Sequence, residues 1–328
     1  MATLELVEPQ AEAIERFRQD LDALAGPRVA IGIAVSGGPD SLALLALAAA
    51  ARPGLVEAAS VDHSLRPESK AEAEMVARVC RVLAVPHQTL TVKWPKKPET
   101  ALQERARLER YKLLGQWAKE RGLQALLTAH HLDDQAETFM MRLARGAGVR
   151  GLAGMRRSTP VPGASQIPLL RPLLGWRRME LEQICIDFGL TPTNDPSNAD
   201  EQFERVRIRR ALAGTGWLNS RAVATSAQNL AEADGALRWA TTQAWERCVT
   251  EEDAEILFTP TDTPREIRRR IILRAVAKLA TEGQGAELRG REIERLIGTL
   301  ARGGKATIRG VLCSGGKQWR FSPAPPRK

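Results

Sequence analysis

The chain has 328 residues, of which 43% are hydrophobic and 27% charged, with 48 Lys and Arg against 39 Asp and Glu. That length accommodates one large core or two domains, and the composition is that of a globular protein rather than a disordered or fibrous one. No apolar run approaches the roughly 20 residues needed to span a bilayer, and the acid-rich start ATLELVEPQAEAIE lacks the basic head and apolar centre of a signal peptide. A cytoplasmic enzyme without membrane attachment is expected.

The first informative segment is VAIGIAVSGGPDSLALLALAAAA, an apolar strand over Val29–Ser36 that breaks into Gly37-Gly38-Pro39-Asp40-Ser41 and continues as a helix to Ala51. A strand-to-helix turn of small residues leaves backbone N–H groups at a helix N-terminus, where they suit a phosphate. The loop has no lysine, so it is not a Walker A sequence. Asp40 beside phosphates would repel them unless a divalent cation lay between, which makes it a candidate Mg2+ ligand. Ser36 and Asp40 acting only as helix caps is the alternative reading.

Further strands are expected at Leu55–Asp62, His87–Lys93 and Leu123–Ala129, with helices at Ser41–Ala51, Glu68–Ala84 and Thr100–Arg121 between them. Such alternation predicts an α/β fold with a doubly wound, mostly parallel sheet. Ligands of such sheets bind beyond the carboxyl ends of strands. Three of these ends are polar: Ser36-Gly37-Gly38, Val61-Asp62-His63-Ser64-Leu65-Arg66 and Thr128-Ala129-His130-His131. The last runs into Leu132-Asp133-Asp134-Gln135-Ala136-Glu137-Thr138. A helix starting near Asp133 sets Asp134 and Glu137 at i and i+3, so their carboxylates should share a cation: a metal ion or a ligand ammonium group.

Beyond Arg145 the segment RGAGVRGLAGMRRSTPVPG reads as a basic loop that orders on substrate, or as a plain connector. A helix is expected over Arg177–Phe188 and, after the turn Thr193–Asn198, a basic helix over Phe203–Leu212. The domain boundary is placed at Gly214-Thr215-Gly216, giving a catalytic domain over 1–215 and a basic, mainly helical domain over 216–328. Its expected helices are Arg221–Thr250, Pro264–Glu282 and Arg289–Ala301, followed by a β-like tail, Lys305–Phe321. After Thr215 stand 19 basic and 13 acidic residues, so six of the nine net positive charges lie in the second domain. That excess suits a polyanionic partner such as RNA. Cys80, Cys185, Cys248 and Cys313 stand singly, which fits buried thiols and neither a zinc ribbon nor a disulfide framework.

SGGPDS resembles the S-G-G-x-D-S loop of the PP-loop ATPases, which split ATP between its α and β phosphates and adenylate their substrates. With Val61–Arg66, Ala129–Thr138 and Arg145–Leu152, the chain closely resembles the tRNA(Ile)-lysidine synthetases, whose runs are V-D-H-x-L-R, A-H-H-x-D-D-Q-x-E-T and R-G-x-G-x-x-G-L. Similarity extends to Glu109-Arg110-Tyr111, Arg171–Leu174 and Asp195–Asn198, covering nearly all of residues 29–210. The resemblance implies ATP-dependent ligation of L-lysine to C2 of the wobble cytidine of a CAU-anticodon isoleucine tRNA, with Mg2+. It implies that Ser36, Gly37, Gly38, Pro39, Asp40 and Ser41, with Asp62 and His63, bind ATP. Arg110 falls on the α-phosphate, and Asp134 and Glu137 lie around lysine and cytidine. His130 is the catalytic-shell histidine of its pair, whereas His131, His63 and His87 have structural readings. Candidate RNA contacts are Arg145, Arg150, Arg205, Arg207, Arg209, Arg268, Arg269 and Arg270.

Two departures from the family pattern stand out. Val206 occupies the place of an asparagine, whose hydrogen bonds it cannot make, and Ser64 replaces a glycine. The paired cysteines of a tRNA 2-thiocytidine enzyme are missing, and the stretch before Val29 is too short for the glutamine-hydrolysing domain of a GMP or asparagine synthetase. From another class, an RNA-binding protein that uses its nucleotide only as a switch would bind ATP without turnover. The sequence leaves the oligomeric state open, a homodimer included.

Overall fold

The computed structural model describes residues 8–64, 68–94, 102–193, 202, 204–280, 288 and 290–325. Two compact units divide between Ala231 and Glu232. The first opens with α1 (Glu8–Ala25), β1 (Ile31–Ala34), α2 (Pro39–Ala51), β2 (Val56–Asp62), α3 (Glu68–Val82), β3 (His87–Thr91), α4 (Leu102–Glu120) and β4 (Ala125–Leu127). It continues through α5 (Leu132–Leu143), α6 (Val149–Leu152), β5 (Ser158–Val161), β6 (Ala164–Leu170), a 3-10 turn (Pro172–Gly175), α7 (Arg178–Asp187) and α8 (Glu204–Gly214). Helix α9 (Ser220–Cys248) carries the chain across the division.

The sheet order is β3-β2-β1-β4-β6-β5, parallel except for β5, which pairs antiparallel with β6. Strand β1 lies between β2 and β4, pairing Ile31 with both Val56 and Ala125. Helix α2 is apolar all round and buried from Ser41 to Ala48, the pattern of a helix enclosed on every side. Leu42, Leu45 and Leu47 share their core with Phe17 and Leu21 of α1 and with Leu181 and Ile184 of α7. On the opposite face Trp117 of α4 packs so close to β1 that a Cβ on Gly32 would stand 2.7 Å from its ring, which only glycine tolerates.

Helix α1 and the β5–β6 hairpin have no counterpart among the elements expected from sequence. The hairpin replaces part of the expected glycine-rich loop. Its signal is masked by Pro160 in a four-residue strand whose register shifts at Pro160/Val161.

The second unit packs the end of α9, α10 (Arg265–Leu279) and α11 (Gly290–Ala301) on an antiparallel sheet ordered β7-β8-β11-β10-β9. Its strands are β7 (Val249–Glu252), β8 (Glu255–Phe258), β9 (Lys305–Ile308), β10 (Val311–Ser314) and β11 (Trp319–Pro323). The β-like tail is thus the larger part of a five-stranded sheet. Phe258 and Trp319 meet edge to face at 5.7 Å within a core that includes Ile271, Ile293, Leu300 and Phe321.

Candidate active site

Because β1 leads to β2 on one side and pairs with β4 on the other, the strand order reverses between β1 and β4. Crevices at such reversals open beyond the strands' carboxyl ends. Here a cavity of about 560 Å3 is lined by Ser36, Asp40, His63, Arg110, His130 and Asp134, among others.

The glycine loop forms one wall. Gly37 has φ +89°, a left-handed conformation, and its carbonyl accepts a hydrogen bond from Thr193 N at 2.9 Å. Gly38 caps α2 with no side-chain bond to the first turn, so backbone donors there are not consumed by a cap. The Ser41 hydroxyl donates to Gly38 O at 3.0 Å and lies 3.2 Å from the Ser36 hydroxyl, bracing the loop from within. Asp40 Oδ1 is buried and has no hydrogen-bond partner, while Oδ2 lies 3.6 Å from His131 Nε2. An orphaned anionic oxygen is costly unless something cationic meets it, and the site fits a divalent ion held jointly with phosphates. Among the described residues no group of three or more His, Cys, Asp or Glu forms a complete metal cage.

Helix α5 forms the other wall. Its first turn is a capping box: His131 Nδ1 accepts from Asp133 N at 3.2 Å, and Asp134 Oδ2 accepts from His131 N at 3.2 Å. His131 is 2% exposed, with Nε2 3.6 Å from both Asp40 and Asp134. Burial disfavours its charge, but hydrogen bonds to Asp133 and Asp40 and the charge of Asp134 outweigh that and push its pKa up to about 10. Nε2 therefore holds its proton between two carboxylates. A second proton on Nδ1 is opposed by the Asp133 amide that donates to it. His130 goes the other way. Burial dominates, Asp134 opposes it, and Arg171, Arg110 and Arg107 add to it, taking the pKa down to about 4. His130 is thus neutral near pH 7, with Nδ1 3.0 Å from the Thr128 hydroxyl.

Asp133 turns away from the cavity. Its carboxylate accepts from the first amide of α7, Arg178 N, at 2.8 Å and from the Ser220 hydroxyl. Burial raises its pKa, but these bonds and His131 hold it down at about 2. Glu137, 2% exposed, is bracketed by Arg209 (Nε to Oε1, 2.6 Å) and Arg205 (Nε to Oε2, 3.2 Å), and Arg205 also reaches Asp134 Oδ1 at 4.0 Å. The cation that Asp134 and Glu137 share is a guanidinium of α8. Asp134 and Arg205 line the cavity, whereas Glu137 stands behind them.

Residues 9–215 match the PP-loop domain family. The chain is 47% identical over 317 residues to the tRNA(Ile)-lysidine synthase of Novosphingobium aromaticivorans, covering 96% of this chain and 95% of that one. It is 43% identical over 299 residues to that of Zymomonas mobilis, covering 91% and 89%. The chain belongs to the tRNA(Ile)-lysidine synthase family. Members of the family are ligases of the PP-loop class. Among solved structures, a U34-tRNA thiolase from Methanococcus maripaludis aligns over 68% of this chain and 78% of its own with a TM-score of 0.57 at 16% identity, a likeness of fold.

Other residues that the family resemblance singles out are distributed unevenly. Asp62 Oδ1 accepts from Ser64 N at 2.7 Å, and His63 lines the cavity, its pKa lowered by burial and by Arg110. Arg110 also reaches the cavity, its guanidinium 5.1 Å from the Tyr111 ring. Arg66 and Asp195–Asn198 lie outside the described residues.

The candidate RNA contacts differ in what they touch. Arg145 pairs with Glu204, Arg207 donates to Gln202 O at 3.1 Å, and Arg150 lies on the short α6. In the second unit Arg268 and Arg269 lie on α10, Arg269 within 3.5 Å of Glu266. Arg270 is half-buried, paired with the buried Asp234 at 2.7 Å and with Glu266 at 2.8 Å, so its charge is engaged within that unit.

The segment read as a loop or connector is pinned to α5. Gln135 bonds Met155 in both directions, at 2.8 and 2.6 Å, and Arg142 donates to Gly151 O and Gly154 O. Nothing in the sequence around Gln135 and Arg142 signals these roles, because their partners are backbone groups distant in the chain, whereas Thr128 braces His130 only two residues away. Val206 is buried in α8, where an apolar side chain fits. Cys185 is buried, its thiol 3.2 Å from Pro39 O and pushed up to about 11 by burial and then by Asp40, which suits packing rather than nucleophilic chemistry.

Proposed function

We propose that this chain joins L-lysine to C2 of the wobble cytidine of a CAU-anticodon isoleucine tRNA, consuming ATP and yielding lysidine, AMP and pyrophosphate. The observation that carries this reading is the buried, unpartnered Asp40 oxygen on a lysine-free glycine loop, facing the same cavity as Asp134. One wall suits a nucleotide's phosphates with a cation, and the other suits an ammonium group.

In the first step the cytidine O2 attacks the α-phosphorus and pyrophosphate leaves. The amides of Gly37 and Gly38 and the hydroxyls of Ser36 and Ser41 hold the phosphates, and Arg110 stabilises charge developing on the α-phosphoryl oxygens. Asp40 would hold Mg2+, which when bound neutralises charge on the phosphate oxygens. Asp62 and His63 border the nucleotide. In the second step the lysine ε-amino nitrogen bonds to C2, the C2–O bond breaks and AMP leaves with the oxygen. Asp134 orients the ammonium group and accepts its proton, while Glu137 fixes Arg205 beside it. Neutral His130 supplies a hydrogen-bonding group without adding positive charge near the amine.

The decisive experiment incubates the protein with ATP, Mg2+, lysine and a CAU-anticodon isoleucine tRNA transcript, then digests the RNA and weighs its nucleosides. A cytidine that gains lysine with loss of water, only when ATP and lysine are both present, is expected. AMP formation with an unmodified cytidine would overturn the assignment of nucleophile and RNA target.

A further inference from the structure

We propose, on the reading of an RNA substrate just given, that Trp217 is a stacking platform for the unpaired nucleotide next to the base that enters the cavity. Trp117, Trp176, Trp245 and Trp319 are buried, whereas Trp217 is 83% exposed and Trp239, within α9, 69%. It is presented on a turn fixed at both ends. The Thr215 hydroxyl donates to Ala211 O and Leu212 O at 3.1 Å, closing α8, and Asn219 Oδ1 accepts from Ala222 N at 2.7 Å, opening α9.

Both flanking helices are tied to the site. Helix α8 enters the turn with Arg205 and Arg209 bound to Glu137, and α9 leaves it with Ser220 bonded to Asp133, the neighbour of cavity-lining Asp134. Three residues span at most about 11 Å, so Trp217 stays within that reach of Ser220, which is bonded to Asp133 at the start of α5, whose next residue, Asp134, lines the cavity. The chain from Arg205 to Arg221 holds five arginines and no acidic residue. An exposed aromatic ring in a purely basic segment matches the pairing of ring faces and cations that binds single-stranded nucleic acid, and the segment's unbalanced positive charge suits a phosphate backbone. A base that leaves its stack to enter a cavity deprives its neighbour of a stacking partner. The indole replaces that partner and holds the strand in register, which makes Trp217 a positioning residue.

The test compares Trp217→Ala and Trp217→Phe in the full chain. Trp217→Ala should raise KM for the tRNA about tenfold, the worth of one stacked base, with kcat and the KM values for ATP and lysine unchanged. Trp217→Phe should restore it. The slope of log affinity against log salt should stay the same in both, since no phosphate contact is lost. A second readout does not depend on turnover: an anticodon stem-loop carrying 2-aminopurine beside the wobble cytidine should be quenched by the wild type and by Trp217→Phe but not by Trp217→Ala. If the wild type makes no lysidine, the reaction assignment fails while the quenching still decides the stacking role. Equal quenching by all three proteins overturns the proposal, as does a changed oligomeric state in Trp217→Ala with unchanged RNA affinity.

Discussion

Two helices start side by side at the point where the strand order reverses, and their N-termini are finished in opposite ways. At α2 the cap is Gly38, followed by Pro39, with no side chain satisfying the first turn. At α5 the first turn is closed by its own residues: His131 and Asp134 form a reciprocal cap. Any helix N-terminus attracts anions through its free amides. The α2 end keeps that property, whereas the α5 end cancels it and offers the cavity a carboxylate, Asp134, in place of amides. A fold that repeats one structural unit thus makes an anion site and a cation site within one crevice by changing only how each helix is capped.

The largest effects should come from removing one charge on each wall. Asp40→Asn should lower pyrophosphate release about a hundredfold or more, because the phosphates lose the charge that holds their counter-ion, and no excess of lysine should restore it. Asp134→Asn keeps an acceptor for His131 N, so α5 remains capped. It should slow the lysine-dependent step about tenfold to a hundredfold while pyrophosphate release without lysine stays near normal. If the two variants lose both steps equally, the walls do not divide the chemistry and the contrast between the helix ends has no functional content.

Glu137 sharpens the contrast because it is an acid of α5 that serves the fold. Glu137→Gln leaves Arg205 and Arg209 without their buried counter-charge. Since both guanidinium groups are themselves about a third or more exposed and can be rehydrated, the expected cost is about 1–2 kcal/mol. It should appear as a lowered urea midpoint at unchanged slope, with a raised KM for lysine as Arg205 loses its position. Unchanged stability would show that other contacts hold α8 to α5.

Much of this was legible in the residues. The parallel sheet, the glycine loop and the acids after β4 are local patterns: apolar runs broken by small or charged residues at strand ends. What was hidden depends on residues distant in sequence. That Asp133 turns out to α7 and Ser220 while Asp134 turns in could not be read from two adjacent aspartates. Nor could the engagement of Arg270 within its own unit be read from three consecutive arginines, because Asp234 is 36 residues away. The fold of residues 145–157 against α5 is set by Gln135 and Arg142, polar residues whose partners are backbone carbonyls and amides. The β5–β6 hairpin carries too weak a local signal to compete with the glycines and prolines around it.

The smallest expected effect concerns a third strand end, after β2, where a departure from the family pattern acquires a cause. Ser64 has φ +51°, the left-handed region that costs a residue with a Cβ about 1 kcal/mol, and the Asp62 carboxylate holds it there by accepting its amide. The turn therefore rests on the Asp62 side chain, and glycine is the residue that would adopt it without strain. Ser64→Gly should relieve that strain, but glycine also gains freedom in the unfolded chain, so the net gain should be no more than about 0.5 kcal/mol, or about 1–2 °C in Tm. KM for ATP should not change, since the Asp62 bond is made to the backbone. A loss of stability in Ser64→Gly would mean that the serine hydroxyl, and not the Asp62 carboxylate, holds this end of β2 in place.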